Sequence, residues 1–231
     1  MNKVLDNFFV ADEEYKNQLE SYTIGDTLLA IAFYAIFMIV YYIVGKIYYQ
    51  SGAYYVTIVN LAFILLPVVL CFRNLSKTGL SARNLKKSLI VSFILGMAVL
   101  LAISIIPGII AHAEFLTVSQ IAYYIFYFFV IIGFSEEISF RGFIQPRLFP
   151  VFKREWITIL VAGLLFVLMH YPFQMAARGM SFVEYWPEFI ASAPFQLLWH
   201  YVCTWLYRRY GNIFGATVMH GCVDMSMGIF G

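Results

Sequence analysis

Charge is what this chain of 231 residues has least of. Asp, Glu, Lys and Arg make up only 12% of it, about half the roughly 25% of an ordinary soluble domain. With 62% of residues hydrophobic and 19% aromatic, a water-exposed globule would show far too much apolar surface. A soluble fold is excluded and an integral membrane protein is implied. Cysteine is scarce too. Cys71, Cys203 and Cys222 are odd in number, irregularly spaced and set in or beside apolar runs. That excludes a disulfide framework or a zinc ribbon and reads as buried free thiols. The net charge is only +2, and no basic, aromatic-interleaved patch points to nucleic acid. Internal repeats and low-complexity segments are absent. Residues 1–26 do not read as a cleavable signal, because Asp6, Asp12, Glu13, Glu14, Glu20 and Asp26 outnumber Lys3 and Lys16 ahead of the first apolar run. They are expected to form a cytosolic N-terminal leader, with LDNFFV (5–10) resting at the membrane surface.

What the chain has in abundance is long apolar runs. Seven stretches, roughly 27–49, 52–72, 88–110, 119–145, 156–175, 189–207 and 211–229, approach the ~20 residues that cross a bilayer. The expected fold is therefore all-α: a multi-pass transmembrane helical bundle of about seven spans over residues 27–231. Pro67, Gly96, Pro107, Gly163 and Pro194 inside these spans suit membrane helices, whose neighbours can satisfy disturbed backbone. The aromatic runs YYIVGKIYY and YYIFYFF read as interfacial belts and packing.

The basic residues set an orientation. The loop RNLSKTGLSARNLKK carries Arg73, Lys77, Arg83, Lys86 and Lys87 and no acid, so it belongs in the cytosol. Lys3, Lys16, Arg147, Lys153, Arg154, Arg208 and Arg209 then fall on the same side. Only Lys46 and Arg178 fall on the other. In a cell membrane the N-terminus is then inside and, with seven spans, the C-terminus outside.

Against this background a few titratable residues inside the spans stand out, because each is costly to place in lipid and is a functional-site candidate for that reason. They are Glu136, Glu137, Arg141, His170, His200, His220 and Asp224. At about 1.5 Å of rise per residue, Glu136 lies roughly 16 Å from Arg147 and His220 roughly 16 Å from Arg209. His170 and Asp224 come out near 22–24 Å from Arg154 and Arg209, less with tilt. Three spans thus bring titratable groups to similar depth, and one shared polar cavity within the membrane, opening towards the basic cytosolic end, is expected. Glu137 and Arg141 are i and i+4, spaced to pair. His220 and Asp224 share that spacing, and Phe166 sits one turn before His170.

EEISFR (136–141), FVLMH (166–170) and HGCVD (220–224), in this order on spans four, five and seven, resemble the motifs of the CPBP intramembrane proteases. That family includes CAAX prenyl endopeptidases and bacteriocin-processing or self-immunity proteins, also labelled Abi. The resemblance covers the C-terminal half, a protease-like core at about 119–231. It implies an intramembrane endopeptidase acting on a peptide or protein substrate at the membrane. Glu136 with His170 would activate a water, and His220 with the residue at 224 would stabilise the oxyanion. Glu137 and Arg141 would be structural. The family's CAAX enzymes typically carry Asn where this chain has Asp224. An ionised Asp cannot donate a hydrogen bond, so here it would orient His220.

Other readings of the same residues remain. Glu136, His170, His220 and Asp224 are all zinc-ligand types, so a zinc hydrolase is the mechanistic alternative to a site without cofactor. No HExxH helix is present to favour it. Cys222, two residues from His220, points to another helical face and is a poor nucleophile candidate. A non-catalytic regulator bound to a membrane partner, or a proton-coupled transporter, would use the same fold. The inverted repeats expected of a transporter are absent. His112 lies near an outer loop, and His200 reads as a hydrogen-bonded packing residue.

Overall fold

The computed structural model describes residues 10–230, so the LDNFFV surface contact, Val10 apart, lies outside the described residues. Each of the seven apolar stretches folds as a helix, and among the described residues there is no β-strand. A short amphipathic helix, α1 (Glu13–Glu20), precedes them. It starts at Asp12, whose carboxylate accepts from the backbone N–H groups of Glu14 and Tyr15. It buries Tyr15 and Leu19 against Ile138, Tyr207 and Ile213 at the end of the bundle.

The bundle itself is α2 (Ile24–Ser51), α3 (Val56–Leu70), α4 (Leu85–Ile110), α5 (Val118–Phe152), α6 (Glu155–Ala177), α7 (Phe182–Tyr210) and α8 (Phe214–Met225). Local chemistry marks the ends. Thr23 with Asp26, Thr117 with Gln120 and Ser181 with Glu184 form reciprocal capping boxes at the starts of α2, α5 and α7. Four helices, α2, α4, α5 and α6, are long and apolar enough to cross a membrane. The others depart from the simple span for physical reasons. α3 has only 15 residues and a proline, Pro67. α7 is 29 residues long but carries Glu184, Glu188, Arg208 and Arg209 with Pro187 and Pro194. α8 has 12 residues and is buried along most of its length. The result is a helical membrane bundle whose outer faces are apolar. Ile31, Ile36, Ile39 and Ile43 of α2 and Ile90, Phe93 and Ile94 of α4 are exposed, as lipid-facing side chains should be.

The core on one side is aromatic. Phe33 and Phe37 of α2, Phe63 of α3, Phe140 and Phe143 of α5 and Phe166 of α6 pack together. Helix α5 departs from α geometry twice, in π-helical segments at Tyr127–Gly133 and Ile138–Ile144, and between them lies the single turn Phe134–Glu137. Segments of this kind are frequently found at functional sites. Every residue from Ser135 to Leu148 is buried. Arg147 is among them. Its guanidinium donates to the carbonyls of Phe143 (2.9 Å) and Lys77 (3.2 Å) and lies over the Phe143 ring. It is not the surface marker that its charge suggests, because backbone carbonyls and aromatic faces replace its water.

Close backbone approach fixes where α5 sits. A Cβ on Gly142 would stand 2.0 Å from the carbonyl oxygen of Thr78, in the turn after α3. That oxygen is backbone and cannot swing away. Gly142→Ala should therefore destabilise the purified protein by about 1–3 kcal/mol, the usual cost of overpacking. The check is thermal unfolding in detergent, and an unchanged midpoint would refute the packing account.

Candidate active site

The turn Phe134–Glu137 aims two adjacent carboxylates in different directions. Glu137 is fully buried and lies 3.1 Å from the guanidinium of Arg141, one turn on. Arg141 is itself fully buried, and its guanidinium carbon stands 4.3 Å from the centre of the Phe166 ring. The expected pair is therefore present, and α6 supplies its aromatic floor. Phe166 also meets the rings of His170, His200 and His220 at 5.2, 5.5 and 6.2 Å.

Three helices bring the histidines and carboxylates together. His220 of α8 places Nδ1 2.8 Å from Glu137 Oε1. Its Nε2 lies 3.6 Å from both Glu136 Oε2 and Asp224 Oδ2. Nδ1 thus carries a proton towards Glu137, while neither carboxylate closes a hydrogen bond on Nε2. Sequence spacing predicted that Asp224 would orient His220. In the fold Glu137 makes the shorter contact, so the second glutamate of the pair serves Arg141 and His220 together. Gly221 permits this approach, since a Cβ there would stand 2.5 Å from the Phe129 ring of α5. His170 directs Nδ1 to the carbonyl of Phe166 at 2.9 Å. That fixes the proton on Nδ1 and leaves Nε2 as the basic nitrogen.

Glu136, Arg141, Phe166, His170, His220 and Asp224 all line one cavity of about 710 Å³. Its direction differs from expectation. The lining runs along the C-terminal half of α6 (His170, Phe173, Gln174, Arg178), the N-terminal half of α7 (Tyr185, Ser192) and the α2–α3 junction (Tyr41, Tyr54). The cavity therefore opens at the end opposite the basic residues, not towards them. At the basic end the buried run 135–148 and the aromatic packing around it close the site.

Tyr41 and Asn60 are among the lining residues not singled out from sequence. Tyr41 hydrogen-bonds to Asn60 Oδ1, and Asn60 Nδ2 is a buried donor left without a partner. A lone Asn in the apolar run VTIVNLAFILL was the available signal, since a buried amide needs partners. His200 lies outside the cavity lining. It is fully buried, with Nε2 3.3 Å from the Ile159 carbonyl and 3.4 Å from Thr204 Oγ1. Cys222 faces Gly96 of α4, away from the carboxylates. Among the described residues no three His, Cys, Asp or Glu side chains are arranged to hold a metal ion.

Residues 118–226 match the model of the family described as type II CAAX prenyl endopeptidase Rce1-like. That segment holds Glu136, Glu137, Arg141, Phe166, His170, His220 and Asp224, and over it the chain is similar to that family. No curated protein and no solved structure matches the chain.

Breaking the buried pair should be costly. Arg141→Met leaves Glu137 charged and facing only His220, with an expected loss of about 3–5 kcal/mol of stability. Adding Glu137→Gln to Arg141→Met should recover part of that loss. Additive or larger losses in the double variant, measured by denaturant unfolding, would mean the two groups do not compensate one another.

Proposed function

We propose that the chain is an intramembrane endopeptidase that hydrolyses a peptide bond of a membrane-associated peptide or protein by a glutamate-activated water. The observation that carries this reading is the shared cavity, in which Glu136 and Asp224 each stand 3.6 Å from one nitrogen of His220 with His170 on the facing helix. Glu136 Oε2 is buried with no hydrogen-bond partner, which suits a base whose partner is a transient water. A water held between Glu136 and His170 Nε2 gives its proton to Glu136, and its oxygen attacks the scissile carbonyl carbon. The oxyanion forms against His220 Nε2–H, which Glu137 supports through Nδ1. Collapse breaks the C–N bond as Glu136 passes the proton to the leaving nitrogen. Oxyanion stabilisation by a preorganised donor in a dry site contributes several kcal/mol. Asp224 helps keep the imidazole charged and aimed, in the manner of a triad carboxylate.

Glu136→Gln keeps shape and removes the base, so turnover should fall by roughly 10²–10⁴ fold with folding intact. The same reading needs no metal, and activity of the purified protein should survive strong chelation. Full biological function in Glu136→Gln would instead support a non-catalytic regulator, and activity lost to chelator and restored by zinc would support a metallohydrolase.

Orientation follows from charge. With the basic end in the cytosol, the N-terminus is inside and the cavity opens towards the outer half of the bilayer. Substrate then arrives from the non-cytosolic side. Arg178 at the cavity rim and Lys86 at the basic end are both exposed. In intact cells Arg178→Cys should react with a membrane-impermeant maleimide, and Lys86→Cys only after lysis. The reverse pattern would place the cavity mouth in the cytosol.

A further inference from the structure

One wall of the cavity is used by none of the chemistry above. Helix α7 contributes Ser192, Gln196, Trp199 and Cys203 to the lining, spaced as one stripe along a helix face. Two polar atoms of this stripe, Gln196 Oε1 and Trp199 Nε1, are buried without a hydrogen-bond partner. One is an acceptor and the other a donor. They are i and i+3, about 4.5 Å apart along the helix axis. An unmade hydrogen bond at a buried group carries a real penalty, and here two complementary ones belong to side chains that line the same cavity as the proposed base.

A substrate crossing a membrane has the matching need. A peptide bond can be attacked only when its segment is unwound, and unwinding strips its N–H and C=O groups of their helical partners. In lipid no water replaces those partners. Along one edge of an extended chain an N–H and a C=O point the same way.

We propose that Gln196 and Trp199 form a docking subsite for the backbone of an unwound polypeptide. Gln196 Oε1 accepts from a substrate N–H, and Trp199 Nε1–H donates to a substrate C=O. The recognised chemistry is the peptide group itself, independent of side-chain sequence. Both are positioning residues, and the assignment rests on the endopeptidase reading.

The test uses an internally quenched, S-farnesylated CAAX-type peptide and analogues in which single backbone amides are replaced by esters. Binding is measured on Glu136→Gln protein by fluorescence anisotropy, and cleavage on otherwise native protein. Gln196→Met and Trp199→Phe should each raise the Kd and the KM on the order of tenfold, the worth of one hydrogen bond, with kcat changed by less than about twofold. Neither variant should unfold at a lower temperature, since each removes an unsatisfied group. One ester analogue should bind native Gln196 protein more weakly than the parent peptide does and bind Gln196→Met equally well. Unchanged Kd in both variants, or a loss that no ester position reproduces, overturns the subsite. Binding with these signatures but no cleavage by native protein sinks the endopeptidase reading alone. Failure of the peptide to bind at all overturns the subsite and leaves the endopeptidase reading to the Glu136→Gln comparison.

Discussion

The constraint on which the rest of this structure depends is the burial of Arg141. A guanidinium with no exposed surface inside an apolar bundle survives only if its surroundings answer its charge. Glu137 does so from the same helix, and the face of Phe166 does so from α6. Because Glu137 is held by Arg141, its Oε1 is fixed where His220 Nδ1 can meet it at 2.8 Å. Helices α5, α6 and α8 are thereby tied at one point by electrostatics. The aromatic core around Phe140, Phe143 and Phe166 supplies the low dielectric that makes those ties strong.

The residues of the proposed reaction sit beside that tie. Glu136, adjacent in sequence to the buried glutamate, turns into the cavity, with one carboxylate oxygen unpartnered. His170 is pinned by its own helix through the Phe166 carbonyl, so its free nitrogen is defined by the fold itself. Phe166 therefore does three things. It receives the cation on its ring, it anchors His170 through its backbone, and it packs against His220.

Much of this was legible in sequence, for reasons that can be named. Charged residues in apolar runs are rare, so Glu136, Glu137, Arg141, His170, His220 and Asp224 announced themselves, and i,i+4 spacing gave the Glu137–Arg141 pair directly. Spacing sees only partners on one helix. It therefore offered Asp224 to His220 and missed Glu137, which reaches His220 from a different helix. Arg147 was misread as a surface marker because its carbonyl and aromatic partners, Lys77 and Phe143, come from a turn and a ring that no charge pattern reveals. The direction of the cavity was equally hidden, since depth arguments locate a site along the membrane normal without saying which end packing will seal. Gln196 and Trp199 drew no notice because amides and indoles are common in membrane helices. Only their lack of partners sets them apart.

The two π segments of α5 carry a consequence for how one helix serves two environments. Before the first of them, Val118–Phe126 buries none of its residues; within and after the second, everything to Leu148 is buried. A regular helix keeps its angular phase, so a stripe facing lipid at one end still faces lipid a few turns later. Each wide turn admits an additional residue and resets that phase. The glutamate pair sits on the short stretch between the two resets, at the place where the helix changes from a lipid-facing rod to a central shaft.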